Sequence, residues 1–286
     1  MNPEFRTFFD ETTFTACHLV WDPAAKAAAI IDSVKDYDPK SGRSSLASAE
    51  ELVAFVEREG LTVEWILETH VHADHLTAAP FLKQRLGGMT GIGDAVGKVQ
   101  TVFKEIFNVE PDFATDGRQF DRLFADGDSF QIGGLTAKVI HTPGHTPACV
   151  TYVIGDAAFV GDTLFAPDYG TARCDFPGGD ARQLYRSIKK ILALPPETRM
   201  FLCHDYAPGG RDFLWQTSVA EQRAKNIHIH DGVEEGDFVK MREERDAGLQ
   251  MPVLLLPSVQ VNMRAGDLPP PEDNGVSYLK IPLDRM

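Results

Sequence analysis

With 286 residues the chain is long enough for one large domain or two small ones, and chains of this size bury roughly three quarters of their unfolded surface, so the fold itself needs neither a metal nor a disulfide. Hydrophobic residues make up 43% and charged residues 24% with no long polar or repetitive tract, which excludes collagen-like, coiled-coil and disordered classes. Forty-two acidic against 28 basic side chains leave a formal charge of −14, which repels polyanions and argues against nucleic acid as a partner.

The opening stretch MNPEFRTFFDETTFTACHLV carries Glu4, Asp10 and Glu11 and lacks both a basic region and an unbroken apolar run, so no secretory signal is expected. No stretch of about 18 apolar residues predicts a membrane span. Cys17, Cys149, Cys174 and Cys203 stand far apart without a CxxC pair, which excludes a zinc ribbon and makes a disulfide scaffold unexpected. A reducing, cytoplasmic location is the simplest expectation.

Apolar runs Thr15–Trp21 and Ala27–Ile31, separated by Asp22-Pro23, predict two strands joined by a turn at the start of the fold. After the polar stretch Lys35 to Ser45, Ser48-Ala-Glu-Glu51 reads as a capping box ahead of a helix that carries Leu52, Val53, Phe55 and Val56 on one face and stops at Gly60. Val63 to Thr69 predicts a buried strand running into His70, and Leu76 to Leu86 a helix ending at Gly87-Gly88. From Ala125 the runs Phe130–Ile132, Leu135–Thr142, Cys149–Ile154 and Ala157–Val160, punctuated by glycines, predict a second sheet.

Asp180 predicts the cap of a helix striped by Leu184, Ile188, Ile191 and Leu192 and ended by Pro195-Pro196. Arg199–Cys203 is a short strand entering His204. Beyond Phe213 the pattern is mostly helical to Met251 and then a Pro-rich, extended tail. The β-then-α order in both halves, without linker or repeat, predicts a single domain over residues 1–286 (halves about 1–140 and 141–286), an α/β fold layered αββα.

The string Thr69-His70-Val71-His72-Ala73-Asp74-His75 sets four potential metal ligands in six positions at a strand end. On a strand-to-helix turn this spacing converges neutral imidazoles and a carboxylate on one point, which suits Zn²⁺ or Fe²⁺. Partners stand at the ends of three more short apolar strands: His145 in Thr142-Pro-Gly-His-Thr146, Asp162 in Val160-Gly-Asp-Thr163 and His204 in Leu202-Cys-His-Asp-Tyr206. Each alone reads as a turn residue. Together with the first string they point to a metal centre. His228 and His230 read as solvated or structural, His18 and His141 as core or strand-end residues, and Asp126-Gly-Asp128 as a hairpin turn.

The order HVHADH, PGHT, GDTLF, CHDY resembles the metallo-β-lactamase superfamily over most of the chain. Within it, Pro143-Gly-His-Thr-Pro-Ala-Cys-Val150, Arg173-Cys-Asp-Phe176, His204-Asp-Tyr206 and Val261-Asn-Met-Arg264 are similar to the persulfide dioxygenase branch, whose members oxidise glutathione persulfide with O₂ to sulfite. The resemblance implies a four-layer αββα sandwich and an iron enzyme in which His70, His145 and Asp162 hold one Fe²⁺ per chain, leaving open positions for persulfide and O₂. His72, Asp74, His75 and His204 then surround that iron or belong to a second metal. In hydrolase relatives of the glyoxalase II type the same seven positions hold two metals bridged by Asp162 and cleave thioesters.

That binuclear or Zn²⁺ hydrolase is the alternative, and a non-catalytic metal sensor a second one. Asp74 and Tyr206 are the candidate catalytic groups beside the ligands. Arg173 and Arg264 are candidates to hold the carboxylates of an anionic thiol, an internal salt bridge being the equal alternative for each. Where the branch commonly has Arg-Thr-Asp-Phe, this chain has Cys174, after a longer loop Ala166 to Ala172, which makes Cys174 a candidate redox-sensitive thiol on the substrate side, with a buried, inert cysteine the equal alternative. The implied partners are a small-molecule persulfide and O₂, with no nucleic acid and no membrane; oligomeric state is left open, a homodimer included.

Overall fold

The structure, a computed structural model, describes residues 2–285. Strands β1 (Glu4–Asp10), β2 (Thr15–Trp21) and β3 (Ala27–Ile31) form an antiparallel meander, and β4 (Asp36–Asp38) with β5 (Arg43–Ser45) a separate hairpin. Helix α1 (Ala47–Glu59), β6 (Thr62–Leu67), α2 (Ala79–Leu86), β7 (Met89–Gly93), α3 (Val96–Ile106) and β8 (Arg122–Phe124) follow. The first sheet has the order β1-β2-β3-β6-β7-β8, with β3, β6, β7 and β8 parallel. Next come β9 (Ser129–Ile132), β10 (Leu135–His141), β11 (Val150–Ile154), β12 (Ala157–Phe159), α4 (Ala181–Ile191), β13 (Arg199–Phe201) and β14 (Gln216–Ser218). They build a second sheet of order β14-β13-β12-β11-β10-β9, antiparallel except for β12 beside β13. Helices α5 (Val219–Lys225), α6 (Glu235–Asp246) and α7 (Leu255–Asn262) complete the chain.

The inner faces meet through Val20, Ala29, Ile31 and Leu67 of the first sheet and Val139, Tyr152, Phe159 and Phe201 of the second. Residues of opposite parity face outward, because side chains alternate along a strand. Leu19, Ile30 and Ile66 pack under Leu52, Val53 and Val56 of α1 and Leu82 of α2. Ala158, Met200 and Leu202 pack under Leu184, Ile188 and Ile191 of α4 and Phe238 of α6. The result is the expected αββα sandwich. Strand β3, Ala-Ala-Ala-Ile-Ile, is buried throughout because it is covered on both faces, which is why its sequence does not alternate.

Asp180 caps α4 as expected, its carboxylate accepting from the Gln183 amide at 2.8 Å, and Gly60 ends α1 in the left-handed region with φ 63°. Four expectations are corrected. Ser48 is inside the first turn of α1, not its cap; its hydroxyl and amide donate to Asp36 at the start of β4, at 2.6 and 3.3 Å. The second helix starts at Ala79 instead of Leu76, since Leu76 bridges to Lys35 and the Thr77 amide is bound by Asn262. Strand β1 precedes the predicted hairpin as a half-exposed edge whose mixed polarity hid it. The tail after Met251 is not all extended: Leu255–Asn262 is helical despite Pro257. All four cysteines are buried free thiols, and among the described residues no helix is long and apolar enough to cross a membrane.

Candidate metal centre

The ligand-bearing residues sit in loops that leave β6 (His70, His72, Asp74, His75), β10 (His145), β12 (Asp162) and β13 (His204). Strands β10, β12 and β13 run in one direction, so their loops emerge on one edge of the sandwich. There the ligand atoms of His70, His145 and Asp162 lie within 4.8 Å of one another. Oδ2 of Asp162 stands 3.9 Å from Nε2 of His70 and 3.7 Å from Nε2 of His145. The opposite ring nitrogens are engaged, Nδ1 of His70 with the Thr69 hydroxyl at 3.0 Å and Nδ1 of His145 with the Arg173 carbonyl at 2.8 Å.

A second group, His72, Asp74, His75 and His204, is equally close, and Asp162 borders it through Oδ1, 3.3 Å from Nε2 of His204. The buried atoms Nε2 of His70, His75 and His204, Nδ1 of His72, and Oδ1 of Asp74 and Asp162 have no hydrogen-bond partner. Folded proteins rarely leave so many buried polar atoms unpaired, and imidazole nitrogens and carboxylate oxygens converging on one space are a donor set that fits a metal cation. Burial and the neighbouring imidazoles push the His70 pKa well below its ordinary value, so this ring is neutral, the form that binds metal. Burial opposes charge on His204, yet Asp74, with a carboxylate oxygen 3.0 Å from its Nε2, and Asp162 raise its pKa.

Asp32 and Glu68, two acids not singled out in the sequence, build the floor. Asp32 follows β3 directly with φ 55° and accepts from the Thr69 amide (2.7 Å), the Thr69 hydroxyl (2.8 Å) and Nε2 of His72 (2.9 Å). Glu68 reaches the same ring nitrogen at 3.2 Å and accepts from the Thr77 hydroxyl at 2.5 Å. Burial opposes the imidazolium of His72, but these two carboxylates outweigh it and push its pKa well up. The His72 ring is thereby held between those of His70 and His75, with centroids at 4.1 and 4.2 Å. Gly161 has φ 51°, and a Cβ there would meet the Thr69 hydroxyl at 2.4 Å, so only glycine lets the Asp162 loop approach this turn. The sequence signal was an acid closing an apolar strand, which is equally the mark of an ordinary turn.

A cavity of about 470 Å³ opens on the cluster, lined by Asp74, His145 and Asp162 and walled by Phe165, Tyr169 and Tyr206. Burial, and after it the nearby carboxylates, push the Tyr206 phenol upward, so it stays protonated. Arg173 lines the cavity, but its guanidinium is bound by Asp175 in two 2.6 Å contacts and by the Gln250 carbonyl. Arg264 does not reach the cavity: it is buried against Glu110 and stacks over Phe113 at 4.6 Å. Cys174 is turned away too, into the layer of α4 and α6, where burial pushes its thiol pKa up. These two substrate-side expectations failed because an arginine and a cysteine beside a motif carry no sign of which way they point. Arg242 is saturated by Asp246 and the Thr171 carbonyl, whereas Arg245, which also lines the cavity, has no ion pair among the described residues.

Two of the remaining histidines are structural. His228 is buried, and its Nδ1 accepts from the Thr171 amide at 3.0 Å. His18 bonds the Leu202 carbonyl at 2.9 Å and the Thr7 hydroxyl at 3.0 Å.

An αββα sandwich carrying a histidine and aspartate cluster on its loop edge defines a metal-dependent enzyme built on facing sheets. The chain belongs to the metallo-β-lactamase superfamily, whose family model matches residues 12–204. It is 61% identical, over 98% of both chains, to a probable metallo-hydrolase of Burkholderia pseudomallei. A Dictyostelium discoideum protein named glyoxylase B2 is 54% identical over 94% of this chain and 92% of its own. A beta-lactamase hydrolase-like protein of Agrobacterium fabrum is 54% identical over 99% of this chain, which spans 65% of that relative. The bovine mitochondrial persulfide dioxygenase ETHE1 is 32% identical over 93% of this chain and 90% of its own. Among solved structures, ETHE1 from Myxococcus xanthus superposes with a TM-score of 0.72 at 30% identity, covering 92% of this chain and all of that one.

Proposed function

We propose that the protein is an iron-dependent persulfide dioxygenase that converts glutathione persulfide, O₂ and one water to sulfite and glutathione. The observation that carries this reading is the cluster of two histidines and one carboxylate, His70, His145 and Asp162, of which His145 and Asp162 line a cavity large enough for a small thiol. Similarity to the bovine dioxygenase and to the Myxococcus structure supports it. So does the Arg173-Cys-Asp-Phe176 segment, whose first residue orients His145.

Iron bound there supplies coordination for sulfur and O₂ together and the one-electron chemistry that lets triplet O₂ react with a closed-shell sulfur. The chain does the rest. Phe165 and Tyr169 wall off bulk water, and the protonated Tyr206 hydroxyl donates to oxygen developing on the outer sulfur. Asp74, kept ionised chiefly by His204 against the cost of burial, lies 3.0 Å from that ring and orients the water that releases sulfite. Arg245, the uncommitted cation of the cavity, meets a carboxylate of the carrier, a role that Arg173 and Arg264 are too committed to fill.

A binuclear thioester hydrolase is the second reading, favoured by the close grouping of His72, Asp74, His75 and His204 and by the hydrolase names of relatives above 50% identity. Elemental analysis of protein purified without added metal, with O₂ uptake and sulfite release on glutathione persulfide, separates the two. One iron per chain and one sulfite per O₂ are expected. Two metals per chain with faster anaerobic cleavage of S-lactoylglutathione would replace the dioxygenase by the hydrolase, and tight metal without turnover of either substrate would leave a sensor.

A further inference from the structure

The motif Val261-Asn-Met-Arg264 has no part in the chemistry above, yet its asparagine makes three hydrogen bonds to the metal turn. Asn262 closes α7 and is 4% exposed. Its Nδ2 donates to the carbonyl of His72 at 2.8 Å and to that of His75 at 2.7 Å, and its Oδ1 accepts from the Thr77 amide at 2.9 Å. Both amide protons and the oxygen are thus spent on one turn, 185 to 190 residues away in sequence. That turn lies outside any helix or strand from His70 to His75, so its buried carbonyls have no ladder partners of their own. Helix α7 is itself anchored, by Gln100 to the Met263 carbonyl at 2.9 Å and by Glu110 to Arg264.

We propose that Asn262 is a positioning residue of the metal centre, holding the turn from His72 to Thr77 in its ligand-presenting shape before metal arrives. The end of the chain is then part of the metal site, whichever reaction the site performs. Without the amide, two buried carbonyls and one N–H lose their partners, the turn gains alternatives, and metal binding must order it anew. Partners that orient ligands in this way are typically worth about 10–100-fold in metal affinity.

The test strips the protein of metal and titrates Zn²⁺ against a chromophoric chelator. Asn262→Ala and Asn262→Ser should lose roughly 10–100-fold in Zn²⁺ affinity with circular dichroism unchanged. Glu110→Gln, which frees the end of α7 without touching the turn, should lower the Tm and keep the affinity. Folded Asn262 variants with parental affinity, or an equal loss in Glu110→Gln, would overturn the proposal. Hydrogen exchange on the metal-free parent decides even if the Asn262 variants fail to fold: the Thr77 amide should be protected, and free exchange there would sink the idea.

Discussion

Nδ1 of His145 donates to the carbonyl oxygen of Arg173 across 2.8 Å, and this one contact fixes the tautomer of the ring and turns Nε2 toward Asp162. The carbonyl is steady because the Arg173 side chain is tied to Asp175 and Gln250. Arg173→Ala should therefore weaken metal binding by about tenfold while changing the KM for persulfide little, the reverse of what loss of a substrate clamp would do. Metal competition and steady-state kinetics at saturating metal distinguish the two.

His70→Ala, His145→Ala and Asp162→Ala should each abolish retained metal and turnover but keep the fold, since the inter-sheet core lies apart from the loops that bear them. Circular dichroism with elemental analysis checks this. His204→Ala should retain one metal per chain and lose roughly 10–100-fold in rate if a single iron is bound. Loss of half the metal in that variant would instead mark a binuclear centre.

Arg245→Ala should raise the KM for glutathione persulfide by about tenfold with kcat nearly unchanged, because a carboxylate remote from the reacting sulfur is held equally in ground and transition states. The parental KM should rise with ionic strength and the variant's should not, as expected for an exposed charge. An unchanged KM in the variant would remove Arg245 from substrate recognition.

Burial lowers the pKa of His18 from 6.5 to about 4, and the neutral ring is fully bonded between Leu202 and Thr7. The unfolded chain then binds the extra proton first as pH falls, so this stability is present above pH 6.5 and is lost toward pH 4. Its share of the loss between pH 7 and 5 is about 2 kcal/mol. Urea unfolding across that range should show a shallower pH dependence in His18→Gln, and equal slopes would contradict the assignment.

Much of this protein was legible along the chain. The hairpin at Asp22-Pro23, the cap at Asp180, the stop at Gly60 and the second sheet after Ala125 follow from local rules of turn chemistry and periodicity. So does the location of His70, His145, Asp162 and His204 at strand ends, because each histidine or aspartate ends its own apolar run. What only tertiary structure decided is who faces whom. Asp32 lies 40 residues from His72 and Asn262 lies 190 from it, and no local pattern marks an acid or an amide whose partners come from another layer. Cys174 and Arg264 point away from the cavity for the same reason, and Arg173, which lines it, is spent on Asp175: a neighbour in sequence shares the backbone path of a site, but the direction and partners of its side chain are set by whatever charge or cavity packing brings within reach, here the α4–α6 layer, Glu110 and Asp175.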